Sequence, residues 1–196
     1  MTKQQQLDAL YAPYKKCTEC PLGNLGRINV VFGSGNPDAY LMFIGEAPGK
    51  EEDIQNNPFV GRSGQLLNRA LNVANINRED VFITNIVKCR PPKNRRPTPQ
   101  ESTTCKNLLL LNQIKIIQPL VICTLGSTAI QELLAMPKLQ ITDIRGKTQK
   151  MDTITIVPTY HPAYILRNPK KLEILINDLT LVQELCNTLP DIKNQE

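Results

Sequence analysis

The stretch from Gly45 to Leu67, GEAPGKEEDIQNNPFVGRSGQLL, constrains the fold more than any other. It follows Ala39–Ile44 (AYLMFI), an apolar run short enough to be a buried strand. At Gly45 the apolar signal stops. A polar loop follows, punctuated by Gly45, Gly49, Gly61 and Gly64 and by Pro48 and Pro58, and it carries Glu51, Glu52 and Asp53 in succession. Ser63 is a candidate N-cap for a helix whose apolar side is Leu66, Leu67, Ala70, Leu71 and Ala74. Strand, long loop and helix in that order are the parts of an α/β unit, whose ligand site lies beyond the C-terminal ends of its strands. An ordinary surface loop is the competing reading. Loops this long are usually functional or disordered, and Phe59 and Val60 argue against disorder.

The rest of the chain repeats the alternation. Residues 3 to 16 form a short helix candidate, and Cys17 to Gly26 is rich in turn residues. Asn29–Asp38 reads as a short strand or extended piece ending in a turn. Val81–Val87 is a second strand, rich in β-branched residues. Lys88–Pro97 cannot be helical, because Pro91, Pro92 and Pro97 interrupt it. Thr98, Pro99 and Glu101 spell a capping box with proline at the first helical position, opening a helix to about Ile117 with Cys105 in its second turn. Leu120–Leu125 is a third strand, and Gly126 and Ser127 open a helix to about Ala135. Asp143–Lys150 reads as a turn, Thr153–Val157 as a fourth strand and Pro158–Pro169 as a loop. The last helix spans residues 170 to 189. Strands alternating with helices predict a parallel sheet covered on both faces.

At 196 residues the chain is expected to be one domain over 1–196, with a C-terminal tail from about residue 190 as a candidate for disorder. No apolar run reaches the roughly 20 residues needed to cross a membrane. The opening MTKQQQLDALYAPYKK has no apolar signal-peptide core, so the expected location is the cytoplasm. The net charge of +5 is modest, but its distribution is informative. Lys88, Arg90, Lys93, Arg95 and Arg96 lie in a stretch without acids, and Arg167, Lys170 and Lys171 form a second group. Clustered cations suit a phosphate backbone, with a solvated basic face as the alternative.

Six cysteines are many for such a chain, and without a secretion signal a disulfide framework is not expected. Cys17 and Cys20 form a C-x2-C pair, and Cys89 and Cys105 follow much later in polar surroundings. Cys123 and Cys186 sit in apolar runs as small hydrophobes. One close pair plus two dispersed thiols fits a [4Fe–4S] cluster better than a zinc ribbon, although zinc and unliganded thiols stay open on spacing alone. The only histidine, His161, follows the fourth strand. It should share a sheet edge with the Gly45 loop and with Asn85. Beside it Tyr164, Ile165, Leu166 and Arg167 form an apolar tip with a basic flank, a candidate wedge for stacked bases.

Together these motifs resemble the family 4 uracil-DNA glycosylases, the iron–sulfur type. The resemblance rests on CTEC at Cys17–Cys20, GEAPG and PFVG-x-x-G-x-LL within Gly45–Leu67, TNIVKCRPP at Thr84–Pro92, Cys105, and HPAYILRNP at His161–Pro169. It implies a three-layer α/β/α sandwich with a central four-stranded, mostly parallel sheet. It implies a [4Fe–4S] cluster on Cys17, Cys20, Cys89 and Cys105, of structural rather than redox use. It further implies a monomer acting on uracil-containing DNA, single- or double-stranded, with hydrolysis of the N-glycosidic bond of a flipped deoxyuridine. Phe59 would stack on the base, Asn85 would read its edge, and His161 would stabilise the departing anion. Backbone N–H groups of Gly45, Glu46 and Ala47 would assist, and Glu46 would orient water or the loop. Glu52 would stand near the base C5 position, against the thymine methyl. Leu166 and Arg167 would fill the gap left by the flipped base, and Lys88, Arg95 and Arg96, with Lys170 and Lys171, would meet phosphates. Asn56–Asn57–Pro58 departs from the family pattern, where a glycine is frequent. Two other classes compete: a non-catalytic iron–sulfur module that binds damaged DNA, and a zinc-stapled small-molecule binder.

Overall fold

The computed structural model describes residues 1–188, so the expected tail beyond about residue 190 lies outside the described part. In chain order the elements are α1 (Lys3–Tyr11), β1 (Ser34–Gly35), β2 (Leu41–Gly45), α2 (Lys50–Gln55), α3 (Arg62–Val73) and β3 (Phe82–Asn85). Then come α4 (Pro99–Cys105), α5 (Leu111–Ile117), β4 (Val121–Leu125), α6 (Ser127–Leu133), α7 (Ile141–Ile144), β5 (Gln149–Met151), β6 (Ile154–Thr159), α8 (Pro162–Arg167) and α9 (Leu172–Thr188).

The fold is α/β, but the sheet has six strands in the order β1-β3-β2-β4-β6-β5, not the four expected. The inner strands β3, β2, β4 and β6 run parallel, and the short edge strands β1 and β5 are antiparallel. β1 falls within the short strand or extended piece expected at Asn29–Asp38, whereas β5 escapes sequence patterning, because a strand of three residues carries no alternation to read. Every residue of β2, β3 and β4 is buried, the signature of a sheet covered on both faces. On one face Met42, Ile44, Ile122 and Ile156 pack with Leu7, Leu109, Ile114 and Ile130. On the other, Leu41, Phe43, Val121 and Val157 pack with Leu67, Leu71, Leu175 and Leu179. α3 supplies Gly64, Leu67, Ala70 and Leu71, three and four residues apart, as one inward stripe.

Other boundaries differ for local reasons. α1 stops at Tyr11, since Pro13 turns the chain into a 3-10 segment, Ala12–Tyr14. The N-cap of α3 is Gly61, not Ser63. The capping box at Thr98 forms as expected, but a π-helical segment, Lys106–Leu110, follows α4 immediately after Cys105. The expected turn at 143–150 holds part of α7 and of β5. Two short helices lie inside what reads as loop: α2 after Gly49 and α8 after His161. No helix among the described residues is long and apolar enough to cross a membrane.

Candidate active site and cysteine cluster

Parallel pairing sends the C-terminal ends of the inner strands to one edge: Gly45 pairs with Asn85, and Leu125 with Thr159. Beyond that edge opens a cleft of about 680 Å³, walled by Glu46, Phe59, Asn85, Leu125, Tyr160 and His161 among others. It lies where a parallel α/β sheet places its ligand.

Asn85 closes β3 and is 1% exposed, yet its Oδ1 has no hydrogen-bond partner. A buried carbonyl oxygen left bare costs about 1–3 kcal/mol and asks for a ligand or a water. Gly45 explains how the amide reaches the cleft floor. A Cβ at Gly45 would stand 2.4 Å from Asn85 Oδ1 and 2.6 Å from Phe59 Cζ, so any side chain there would fill the space the two share. Phe59 is buried and adopts a left-handed backbone, φ 54°. Its carbonyl presses on α3, where a Cβ on Gly64 would come within 1.8 Å of the Phe59 oxygen. The glycines of the loop therefore serve close approach, and they lock the aromatic ring over the cleft.

Glu52 holds the same loop from below. Its carboxylate accepts from the backbone N–H groups of Val60 at 3.0 Å, Gly61 at 2.8 Å and Gly49 at 3.1 Å. Glu46 and Ala47, both half-buried, line the cleft above it.

His161 is the N-cap of α8. Its Nδ1 accepts from the Ala163 N–H at 3.0 Å, so in the neutral ring the proton sits on Nε2. Burial pushes its pKa down to about 4, and the Arg167 charge adds to the fall. The imidazole is therefore a neutral donor at physiological pH. Its ring centre is 5.8 Å from that of Phe59, tilted by 34°. Gly126, φ 94°, backs it closely: a Cβ there would stand only 2.9 Å from His161 Cβ, closer than two side chains can sit. Gly126 and Tyr160 line the cleft without having been expected there, although a glycine directly after a buried strand is a signal for the first. Lys171 Nζ lies 5.1 Å from the Tyr160 ring centre and 5.3 Å from that of Tyr164, two tyrosines on the cleft wall.

The basic residues divide. Arg167 lines the cleft and Leu166 beside it is exposed at the end of α8. Arg95 is on the surface but forms a bidentate pair with the buried Glu101, at 2.7 and 2.8 Å, and Arg96 donates to Gln131 Oε1 at 2.7 Å. Lys88 corrects the expectation outright: it is 0% exposed and cannot meet a phosphate. Its side chain turns inward to Thr84, Asn85 and Gln113.

A second cluster joins four cysteines. Cys20 begins a 3-10 turn, Cys89 follows β3, and Cys105 ends α4. Burial is the main cause that raises the pKa of Cys89 to about 12 and of Cys105 to about 11; Arg27 and Lys88 oppose the rise, and the charges of Cys20 and Cys17 add to it. The four thiols thus stand within electrostatic reach of one another. Donors converge on them. The Lys88 N–H lies 3.3 Å from Cys105 Sγ, and the backbone amides of Leu22 and Gly23 reach Cys20. The Arg27 guanidinium holds the Cys17 carbonyl at 2.7 Å while its Nε is buried without a partner. Burial alone keeps thiols protonated, whereas amides that donate to sulfur and the nearby Arg27 charge favour thiolates. That combination fits a cationic metal centre. Among the described residues no three Cys, His, Asp or Glu side chains form a single-ion site. Cys123 and Cys186 lie in the apolar packing, as expected of small hydrophobes.

A parallel-sheet cleft lined by an aromatic ring, a bare amide and a neutral imidazole defines an α/β protein with a ligand crevice at its strand ends, and sequence comparison gives the family. Residues 32–187 match the family described as the Uracil DNA glycosylase superfamily, and the chain belongs to it. The match begins after Cys17 and Cys20, which therefore lie outside it. Relatives extend the likeness. The chain is similar to the Type-4 uracil-DNA glycosylase of Thermotoga maritima, with 48% identity over 85% of this chain and 86% of the relative. It is also similar to Type-4 enzymes of Saccharolobus solfataricus (43% identity, 94% and 88% covered) and Archaeoglobus fulgidus (38%, 93% and 94%).

Proposed function

We infer that this chain is a uracil-DNA glycosylase of the type-4 kind: it extrudes uracil from DNA, hydrolyses the N-glycosidic bond, releases uracil and leaves an abasic site. The observation that carries the reading is the bare Asn85 Oδ1 on the floor of a cleft that Phe59 and His161 also line. Uracil offers N3–H and O4, which an Asn amide matches as acceptor and donor. Cytosine offers the reverse and leaves both groups unmatched. Phe59 gives the base a stacking face. As the C–N bond breaks, negative charge gathers on uracil and the sugar becomes oxocarbenium-like. His161, neutral with its proton on Nε2, donates to uracil O2 and steadies that anion. The backbone N–H groups of Gly45, Glu46 and Ala47 add to the anion's surroundings. Glu46 orients the attacking water. Glu52 holds the Phe59 loop by its three backbone bonds, and from that place bounds the cleft where a thymine methyl would have to fit.

Leu166 enters the gap left by the flipped nucleotide, and Arg167 with Lys170 and Lys171 meets the flanking phosphates. Arg95 and Arg96 contribute from the surface, each already tied to a protein partner. Cys17, Cys20, Cys89 and Cys105 would hold a [4Fe–4S] cluster, which would staple the N-terminal segment to the loop after β3. Hydrolysis requires no electron transfer. The three-layer arrangement around the inner parallel strands and a monomeric form complete the proposal.

The test is a uracil-release assay on wild type and His161→Ala, with a visible spectrum of the same samples. Wild type should release uracil, and His161→Ala should lose about 100-fold or more in rate while keeping the spectrum. Uracil-DNA binding with no release by wild type would instead leave a non-catalytic damage-binding module.

A further inference from the structure

Lys88 is among the largest side chains sealed from water, at 0% exposure. Its ammonium donates to Thr84 Oγ1 at 2.5 Å, to the Asn85 carbonyl at 2.7 Å and to Gln113 Oε1 at 2.7 Å. Three acceptors match the three donors of an ammonium, with none left over. The acceptors are themselves turned toward it. The Thr84 hydroxyl donates to the Phe32 carbonyl at 2.8 Å, and the Gln113 amide donates to the same oxygen at 2.8 Å. Burial pulls the pKa of this amine down to about 7, whereas its three acceptors favour the charged form. An apolar side chain would fill the same core volume without burying a polar group, so the placement of this one is informative.

Asn85 is the last residue of β3, and β1 pairs only with Phe82 and Ile83. Asn85 lies past the end of that ladder, where Lys88 supplies the donor to its carbonyl. The N–H of the same peptide unit, that of Ile86, donates to the Gly45 carbonyl at 2.9 Å, so Lys88 and β2 hold the Asn85 peptide plane from both sides and with it the direction of its side chain. Lys88 is anchored in turn by its own backbone. Its N–H meets Cys105 Sγ at 3.3 Å, and its carbonyl accepts from Val31 N–H at 2.7 Å.

We propose that Lys88 is a positioning residue for base recognition: its buried ammonium fixes the backbone of Asn85, and through its own backbone amide it ties that residue to the cysteine cluster. The proposal rests on the reading of Asn85 as the group that meets the base edge. Lys88 touches neither base nor DNA.

The experiment is a double-mutant cycle on the full chain with its cluster loaded, reading kcat/KM for uracil release, thermal stability and visible absorbance. Lys88→Met should lower kcat/KM about tenfold or more and keep the absorbance, and its loss should vanish in an Asn85→Ala background, because both changes remove one device. A Lys88→Met enzyme within about twofold of wild type, whatever its melting temperature, overturns the proposal. So does a Lys88→Met loss that is fully additive with that of Asn85→Ala. Asn85→Ala at the wild-type rate removes the recognition role of Asn85, and the proposal with it, which separates that failure from the first two. Should Lys88→Met not fold, Thr84→Val removes one acceptor and keeps the shape. About a threefold loss, again absent in Asn85→Ala, then supports the proposal, and additivity overturns it.

Discussion

His161 is the only histidine of the chain, which makes its titration readable by itself in solution. Its folded pKa of about 4 lies below the unfolded 6.5, so the unfolded chain takes up the proton first as pH falls. The neutral ring therefore contributes stability that is full above pH 6.5 and is lost as pH falls toward about 4. The imidazole resonances should show a midpoint near the lower value, and a midpoint near 6.5 would disprove a neutral donor shielded from water. At Asn85 the expected change is of specificity. Asn85→Asp should lower uracil release about tenfold or more and bring cytosine release above background, measured on matched oligonucleotides. Unchanged preference with retained activity would remove Asn85 from recognition. The side-chain types at this scale were legible in the motifs. What the sequence could not show is that Glu52 spends its oxygens on three backbone amides.

Between elements, charged side chains buried at junctions do the fastening. Asp53, on α2, is 1% exposed and accepts from the backbone N–H groups of Ile28 and Asn29 at 2.9 to 3.1 Å. It fastens the cysteine-bearing N-terminal segment to the helix below the Phe59 loop. Asp53→Ala should cost about 2–4 kcal/mol in denaturant unfolding, since buried amides are left unsatisfied. A change below about 0.5 kcal/mol would mean the segment is held by other contacts. The six-residue α2 escaped sequence reading because it is polar and shorter than two turns, too short for a helical period. The same holds for α8, whose six residues were read as loop. The π-helical segment after Cys105 buries Leu109 and Leu110 in the core as an α-helical turn would, so the apolar pattern does not announce it.

For the whole molecule, the net charge of +5 is less telling than where the free cations stand. Arg167 borders the cleft and Leu166 is exposed beside it. Duplex affinity should fall with salt, and Arg167→Ala should reduce the log–log slope by about one. An unchanged slope would place the DNA elsewhere. Leu166→Ala should impair excision from duplex more than from single strands, where no gap needs filling. Local pattern by itself determined the alternation of strand and helix, because β-branched runs such as Val81–Val87 and the capping box at Thr98 act over a few residues. It also brought the Asn85, Phe59 and His161 motifs into view. Only the tertiary structure decided that Lys88 leaves the basic group it belongs to in sequence. Its environment is set by Gln113 and Cys105, far along the chain, and whether a charge faces water or core depends on partners that only the fold brings near.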